Sequence, residues 1–212
     1  MPGGKGPRVP AHPIHSHMEL ETLRDLYVHE LKDLYSAERQ MMKAMPKMVK
    51  AATNKQLANA FTQHLEQTKK QAQRLEELLK SHGESTRGPK CMGMEGVLKE
   101  GDEMIGEDAD EEVRDAGLIA AAQRAEHYEI AGYGCARTYA ELLGDKKGAK
   151  VLDTTIKEEG AADQKLTKLA RSVINVKAKA APSKSSQAAN KREQSSSGVG
   201  KALSQMVKKV TG

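Results

Sequence analysis

Two glutamates in a helical row that should be apolar constrain this chain more than any other feature. Between residues 118 and 143, Leu118, Ile119, Ala122 and Ala125, then Ile130, Tyr133, Tyr139, Leu142 and Leu143, recur at helical spacing. Ile119, Ala122, Glu126, Glu129 and Tyr133 form one line with steps of 3, 4, 3 and 4 residues, which is a single face of an α-helix. Glu126 and Glu129 therefore stand where core side chains belong. Burying an unpaired carboxylate costs on the order of several kcal/mol, so a positive partner must meet them.

Three further helical patterns carry similar interruptions. The first spans residues 19–52, with an inner line of Leu20, Leu23, Tyr27, Leu31, Leu34, Glu38, Met41 and Met45. Pro46 is expected to kink it or loosen its last turn. Glu30 lies near the edge of this line, and both an interior and a solvated position are open to it. The second pattern starts after a predicted N-cap, Asn54, and stops at Gly83. Its inner line is Leu57, Phe61, His64, Thr68, Gln71, Leu75 and Leu78. The last, residues 147–174, has Leu152, Ile156, Glu159, Asp163, Leu166 and Ala170, with Glu158 beside the line. Between the second and third long helices, residues 83–110 form a connection with a short helix of its own over 94–104. Such a crossover suits an all-α, up-down four-helix bundle. Gly144 ends the third helix, and Gly132 and Gly134 within it mark close helix contact.

Composition agrees with this reading. Aromatics are 3%, Trp is absent, and Ala, Leu, Met, Lys, Glu and Gln are abundant, as in a helical bundle. The bundle is expected over residues 19–176, between a Pro/Gly-rich segment (1–18) and a low-complexity tail (177–212). His12, His15 and His17 in the first segment read as part of a tail without a specific ligand role. No apolar run approaches the ~20 residues of a membrane span, and no secretory leader is visible. Cys91 and Cys135 make neither a disulfide framework nor a zinc motif. These features predict a soluble cytoplasmic protein. The overall charge of +5 is unevenly distributed. The tail has eight Lys/Arg against one Glu, a net of +7, whereas residues 19–176 have 24 basic against 28 acidic residues, a net of −4. The tail, with no aromatic side chain, is suited to non-specific polyanion contact rather than base reading. Its stretch 199–210 is amphipathic at helical spacing, and both a helix that forms on a partner or an anionic membrane and a solubilising tail are open to it.

Glu38, His64, Glu126, Glu129, Glu159 and Asp163 thus project inward from four helices. Five carboxylates and an imidazole suit two hard or borderline cations, iron or manganese, and leave about one excess negative charge around two divalent ions. A polar interior closed by hydrogen bonds alone is the competing reading.

Several segments together resemble one family, the YciF/YciE-like stress proteins of the ferritin-like superfamily. They are Glu30–Glu38 (Glu-Leu-Lys-Asp-Leu-Tyr-Ser-Ala-Glu), His64 with Gln67, Thr68, Gln71, Arg74 and Leu75, and Cys91–Gly96 (Cys-Met-Gly-Met-Glu-Gly). Asp115–Ile119, Gln123, Glu126-His-Tyr-Glu129, Glu158-Glu159 and Asp163 complete the pattern. Ser-Ala-Glu38-Arg-Gln and Glu126-His-Tyr-Glu129 are also similar to the ligand segments of rubrerythrins. The resemblance implies a ferritin-like fold, a homodimer and a site for two iron ions, with manganese as the alternative. Around the proposed ligands, Glu30, Thr68, Gln71, Tyr133 and Glu158 are the expected supporting residues. Thr68 and Gln71 stand where a rubrerythrin-like helix carries Glu-x-x-His, so His64 would substitute from one turn earlier. Three functions are compatible with this set: a di-metal oxidoreductase acting on peroxide or dioxygen, a metal-sequestering stress protein, and a structural protein whose basic tail contacts nucleic acid.

Overall fold

A computed structural model describes residues 20–181, all of whose regular structure is helical. The elements are α1 (Leu23–Ala51), α2 (Lys55–Ser81), α3 (Met92–Gly106), α4 (Glu111–Leu142) and α5 (Lys146–Leu169). A π-helical turn (Ala170–Ile174) then leads into α6 (Asn175–Ala180), so the helical run extends past residue 176. The His-rich segment and the stretch 199–210 lie outside the described residues.

Local chemistry explains where the helices begin and end. Thr22 caps α1 in a reciprocal box with Asp25: the Asp25 N–H donates to Thr22 Oγ1, and the Thr22 N–H donates to Asp25 Oδ2. Asn54 Oδ1 accepts from the N–H groups of Gln56 and Leu57 at the start of α2. Asp145 caps α5 through the Gly148 N–H at 2.8 Å. Gly83 and Gly144 follow the C-termini of α2 and α4 with φ of +76°, a backbone conformation that side chains disfavour. Pro46 does not end α1, which continues to Ala51 and closes with the Ala52 N–H on the Met48 carbonyl at 3.0 Å. Of the two glycines expected at close contacts, Gly132 meets that expectation: a Cβ there would lie 2.9 Å from Leu34 Cδ2. Gly134 faces open space.

The long helices form a four-membered ring in which α1 packs on α2 and α4, and α5 packs on α4 and α2. Two apolar layers reveal their directions. One contains Leu31 of α1, Leu75 of α2, Ala136 of α4 and Leu152 of α5. The other contains Met48, Phe61, Ile119 and Leu166 of the same helices. Hence α1 and α5 run from the first layer to the second, and α2 and α4 run back. Because α2 and α4 are parallel, the chain must return along the length of the bundle between them. The crossover does this, and α3 seals its side against α4 and α1 through Cys91, Met94, Met41, Met45 and Ala125. This up, down, down, up arrangement is the ferritin-like one.

One buried acid is structural. Asp115 of α4 accepts from the Thr53 N–H, the Asn54 N–H and the Thr53 hydroxyl at 2.8–2.9 Å, fixing the α1–α2 turn. Asp115→Ala would leave these donors without that acceptor, and is expected to destabilise the protein by about 2–4 kcal/mol in urea unfolding. A loss below about 0.5 kcal/mol would show that water replaces the carboxylate fully.

Tyr139 and the Met-rich side of α1, a surface that would favour a symmetric partner if exposed, are largely internal. Met41, Met45 and Met48 are buried, and Tyr139 packs partly against the first apolar layer. Met41 and Met45 pack against Met94 of α3 and Ala125 of α4, and Met48 packs within the second apolar layer.

Candidate metal centre

Each long helix crosses from one apolar layer to the other, and the polar interruptions fall between the layers. This follows from the sequence: Glu38 separates Leu34 from Met48, His64 separates Phe61 from Leu75, Glu126 and Glu129 separate Ala122 from Tyr133, and Glu159 separates Leu152 from Leu166. All five side chains are buried. His64, Glu126, Glu129 and Glu159 each offer a ligand atom within 4.8 Å of the others.

The hydrogen bonding of this group is incomplete. Glu38 Oε2, Glu126 Oε2, Glu129 Oε1, Glu159 Oε2 and both ring nitrogens of His64 are buried without a hydrogen-bond partner. His64 Nε2 lies 3.1 Å from Glu126 Oε1 and 3.6 Å from Glu159 Oε2. The first contact lacks the direction of a good hydrogen bond and the second is too long for one, so proximity here is not pairing. Native interiors satisfy the great majority of such atoms, and an unsatisfied one costs about 1–3 kcal/mol. A cluster of them on carboxylate oxygens and imidazole nitrogens is a donor set that could hold a metal ion.

Electrostatics point the same way. Burial, reinforced by the neighbouring Glu159, pushes the carboxyl of Glu126 well above the ordinary range. Burial does the same to Glu129, with Glu38 and Glu159 adding repulsion. Glu38 is also raised well above its ordinary value by burial, although the Tyr133 hydroxyl donates to its Oε1 and opposes the shift. Burial lowers the pKa of His64 and favours neutral imidazole, the metal-ligating form. Without a cation the cluster therefore relieves its repulsion by holding protons.

Supporting residues frame the group on one side. Arg74 clasps Glu158 through two hydrogen bonds of 2.6 and 2.9 Å. Burial would raise the Glu158 carboxyl, but this clasp and hydrogen bonds from Gln67 and Gln71 hold it below its ordinary value. Gln71 donates to Glu158 Oε2 at 3.2 Å and also to Glu159 Oε1, connecting the ion pair to the ligand group. Thr68 is buried and turns its hydroxyl to the Met45 sulfur at 3.9 Å. Tyr133 is buried against Glu38.

Two predicted residues fall elsewhere. Asp163 is not among the clustered ligands: its Oδ1 accepts from Gln123 at 2.8 Å and lies 3.4 Å from exposed His127. It stands a turn beyond Glu159, about 6 Å along α5, and its side chain is one methylene shorter. Glu30 is half-buried beside Asp33 and His29, apart from the group.

A network beside Glu129 was not singled out from sequence. Cys91 Sγ lies 3.0 Å from the Tyr128 hydroxyl, which donates to Asp33 Oδ2 at 3.3 Å. A Cβ at Gly93 would lie 2.5 Å from the Tyr128 ring, so only glycine permits this approach. The available signals were Cys91-Met-Gly and the tyrosine inside Glu126-His-Tyr-Glu129, but they come from separate helices.

Comparison with known proteins agrees with this architecture. A family described as a domain of unknown function, DUF892, matches residues 22–179. Protein YciF of Escherichia coli (strain K12) is 46% identical over 162 residues, covering 76% of this chain and 98% of YciF. The crystal structure of that stress protein superposes with a TM-score of 0.71, covering 73% of this chain and 98% of that one. YcfI from Rhodopseudomonas palustris is 44% identical with a TM-score of 0.69, covering 71% of this chain and 96% of that one. A protein from Xanthomonas campestris, at 19% identity and a TM-score of 0.60, shares the fold, with 74% of this chain and 97% of that one covered. The chain belongs to the DUF892 family and is similar to Escherichia coli YciF over most of its length.

Proposed function

We propose that this protein binds two iron ions, or manganese in their place, between its apolar layers and uses them to reduce peroxides. The observation that carries the reading is the convergence of buried, unpartnered carboxylate and imidazole atoms on one level of the bundle. His64, Glu126, Glu129 and Glu159 would hold the ions, and Glu38, steadied by Tyr133, would add a fourth carboxylate. With Asp163 elsewhere, four carboxylates balance two divalent cations without the excess charge expected from five.

A bound ferrous pair would supply two electrons, one per ion, which with two protons from water cleave the O–O bond of ROOH to give ROH and water. The chain's own contribution is positional. Gln71 fixes one Glu159 oxygen, and the Arg74–Glu158 pair fixes Gln71. Burial keeps His64 neutral, and the two apolar layers exclude bulk water on both sides.

The experiment is metal analysis of protein reconstituted anaerobically with ferrous iron, followed by peroxide consumption. About two ions per chain with stoichiometric peroxide loss is the expected result. Bound iron without peroxide loss would leave sequestration, and no bound iron would overturn the metal reading.

A further inference from the structure

A cavity of about 150 Å³ opens between α2 and α5 and ends on the proposed metal centre. His64 and Glu126 form part of its floor, while Met41, Met45, Phe61 and Leu166 contribute an apolar wall. At the exposed mouth, Lys165 donates to Gln63 across the two helices. The cavity thus joins a mostly apolar chamber, with Gln67 and Glu158 also on its lining, to the edge of the carboxylate–imidazole group.

Hydrogen peroxide has no apolar surface and gains nothing from such a wall. Apolar cavities of about this volume bind molecules the size of benzene, which has six heavy atoms. Methionine side chains reinforce the match, because they are flexible and adapt to an apolar guest. We propose that the protein takes small organic hydroperoxides, with the alkyl group in the cavity and the hydroperoxide at the His64–Glu126 edge. The chemistry is the ROOH reduction above, with R an alkyl group. The assignment of this guest as substrate rests on the metal reading, whereas occupancy of the cavity can be measured without metal.

The test uses the full chain, metal-free and iron-loaded, with fluorobenzene followed by fluorine NMR. Fluorobenzene is expected to bind both forms and to be displaced by tert-butyl hydroperoxide. Ala161 and Ala162 of α5 line the cavity without joining the ligand group. Ala162→Leu should fill the space and weaken fluorobenzene binding at least about tenfold, with iron content unchanged. The preference for tert-butyl hydroperoxide over hydrogen peroxide should fall by a similar factor. Ala161→Leu provides the same measurement if the first variant fails to fold.

No fluorobenzene binding in an iron-competent parent, or unchanged binding in both variants, would overturn the cavity proposal. Faster turnover of hydrogen peroxide than of tert-butyl hydroperoxide at equal concentration would overturn the substrate class. Fluorobenzene binding in a protein that takes up no iron would instead overturn the metal reading and, with it, the hydroperoxide assignment.

Discussion

Glu129→Ala, reconstituted anaerobically beside the parent, is expected to lose most of its iron. Removing even an outer partner of a metal ligand typically weakens binding about 10–100-fold, and loss of a ligand should reach at least the upper end of that range. Glu126→Ala and Glu159→Ala should behave alike, since all three carboxylates belong to the group whose ligand atoms lie within 4.8 Å. Glu38→Ala should lose less, because this carboxylate joins through its Tyr133-held geometry at the edge of the group. Asp163→Ala and Glu30→Ala should retain parental iron, as neither reaches the cluster. None of the three ligand variants need unfold: deleting one acid from the metal-free cluster also removes repulsion. Equal iron in Glu129→Ala, Glu159→Ala and the parent would leave the polar layer as structure alone.

Metal-free protein should become less stable as pH rises from 7.0 to 8.5. The raised carboxyls of Glu38, Glu126 and Glu129 hold protons in the folded state that the unfolded chain has already released. Such groups contribute their full stability below an unfolded pKa near 4.5, and it is lost as pH climbs toward the folded value. Each proton held by the folded state alone corresponds to about 1.4 kcal/mol per pH unit. The lowered His64 has the opposite sign, but its contribution is lost as pH falls below about 6.5, outside the interval. The depressed acids Asp25, Asp145, Asp153 and Glu158 act only under acid conditions. Ferrous iron should reverse the trend, because it needs deprotonated ligands. Urea midpoints of chelator-treated and iron-loaded protein at the two pH values provide the measurement. A metal-free midpoint that rises with pH would contradict the buried-proton account.

The sequence alone determined the helices, the layer and most of the ligand candidates. Heptad-like spacing showed Glu126 and Glu129 in a core row, and the same period placed Glu38, His64 and Glu159 inward, because each depends only on its own helix. Caps were similarly legible: Asn54, Gly83 and Gly144 act through neighbours in the chain. Tertiary structure decided what depends on register between helices. Glu159 and Asp163 share one helical face, yet their levels differ by a turn, and only packing of α5 against α4 puts Gln123 and His127 opposite Asp163. Periodicity gives the direction of a side chain around its axis, not its height relative to a neighbour. For the same reason, the Arg74–Glu158–Gln71 chain, the Cys91–Tyr128 contact and the cavity between α2 and α5 became visible only once the helices were assembled.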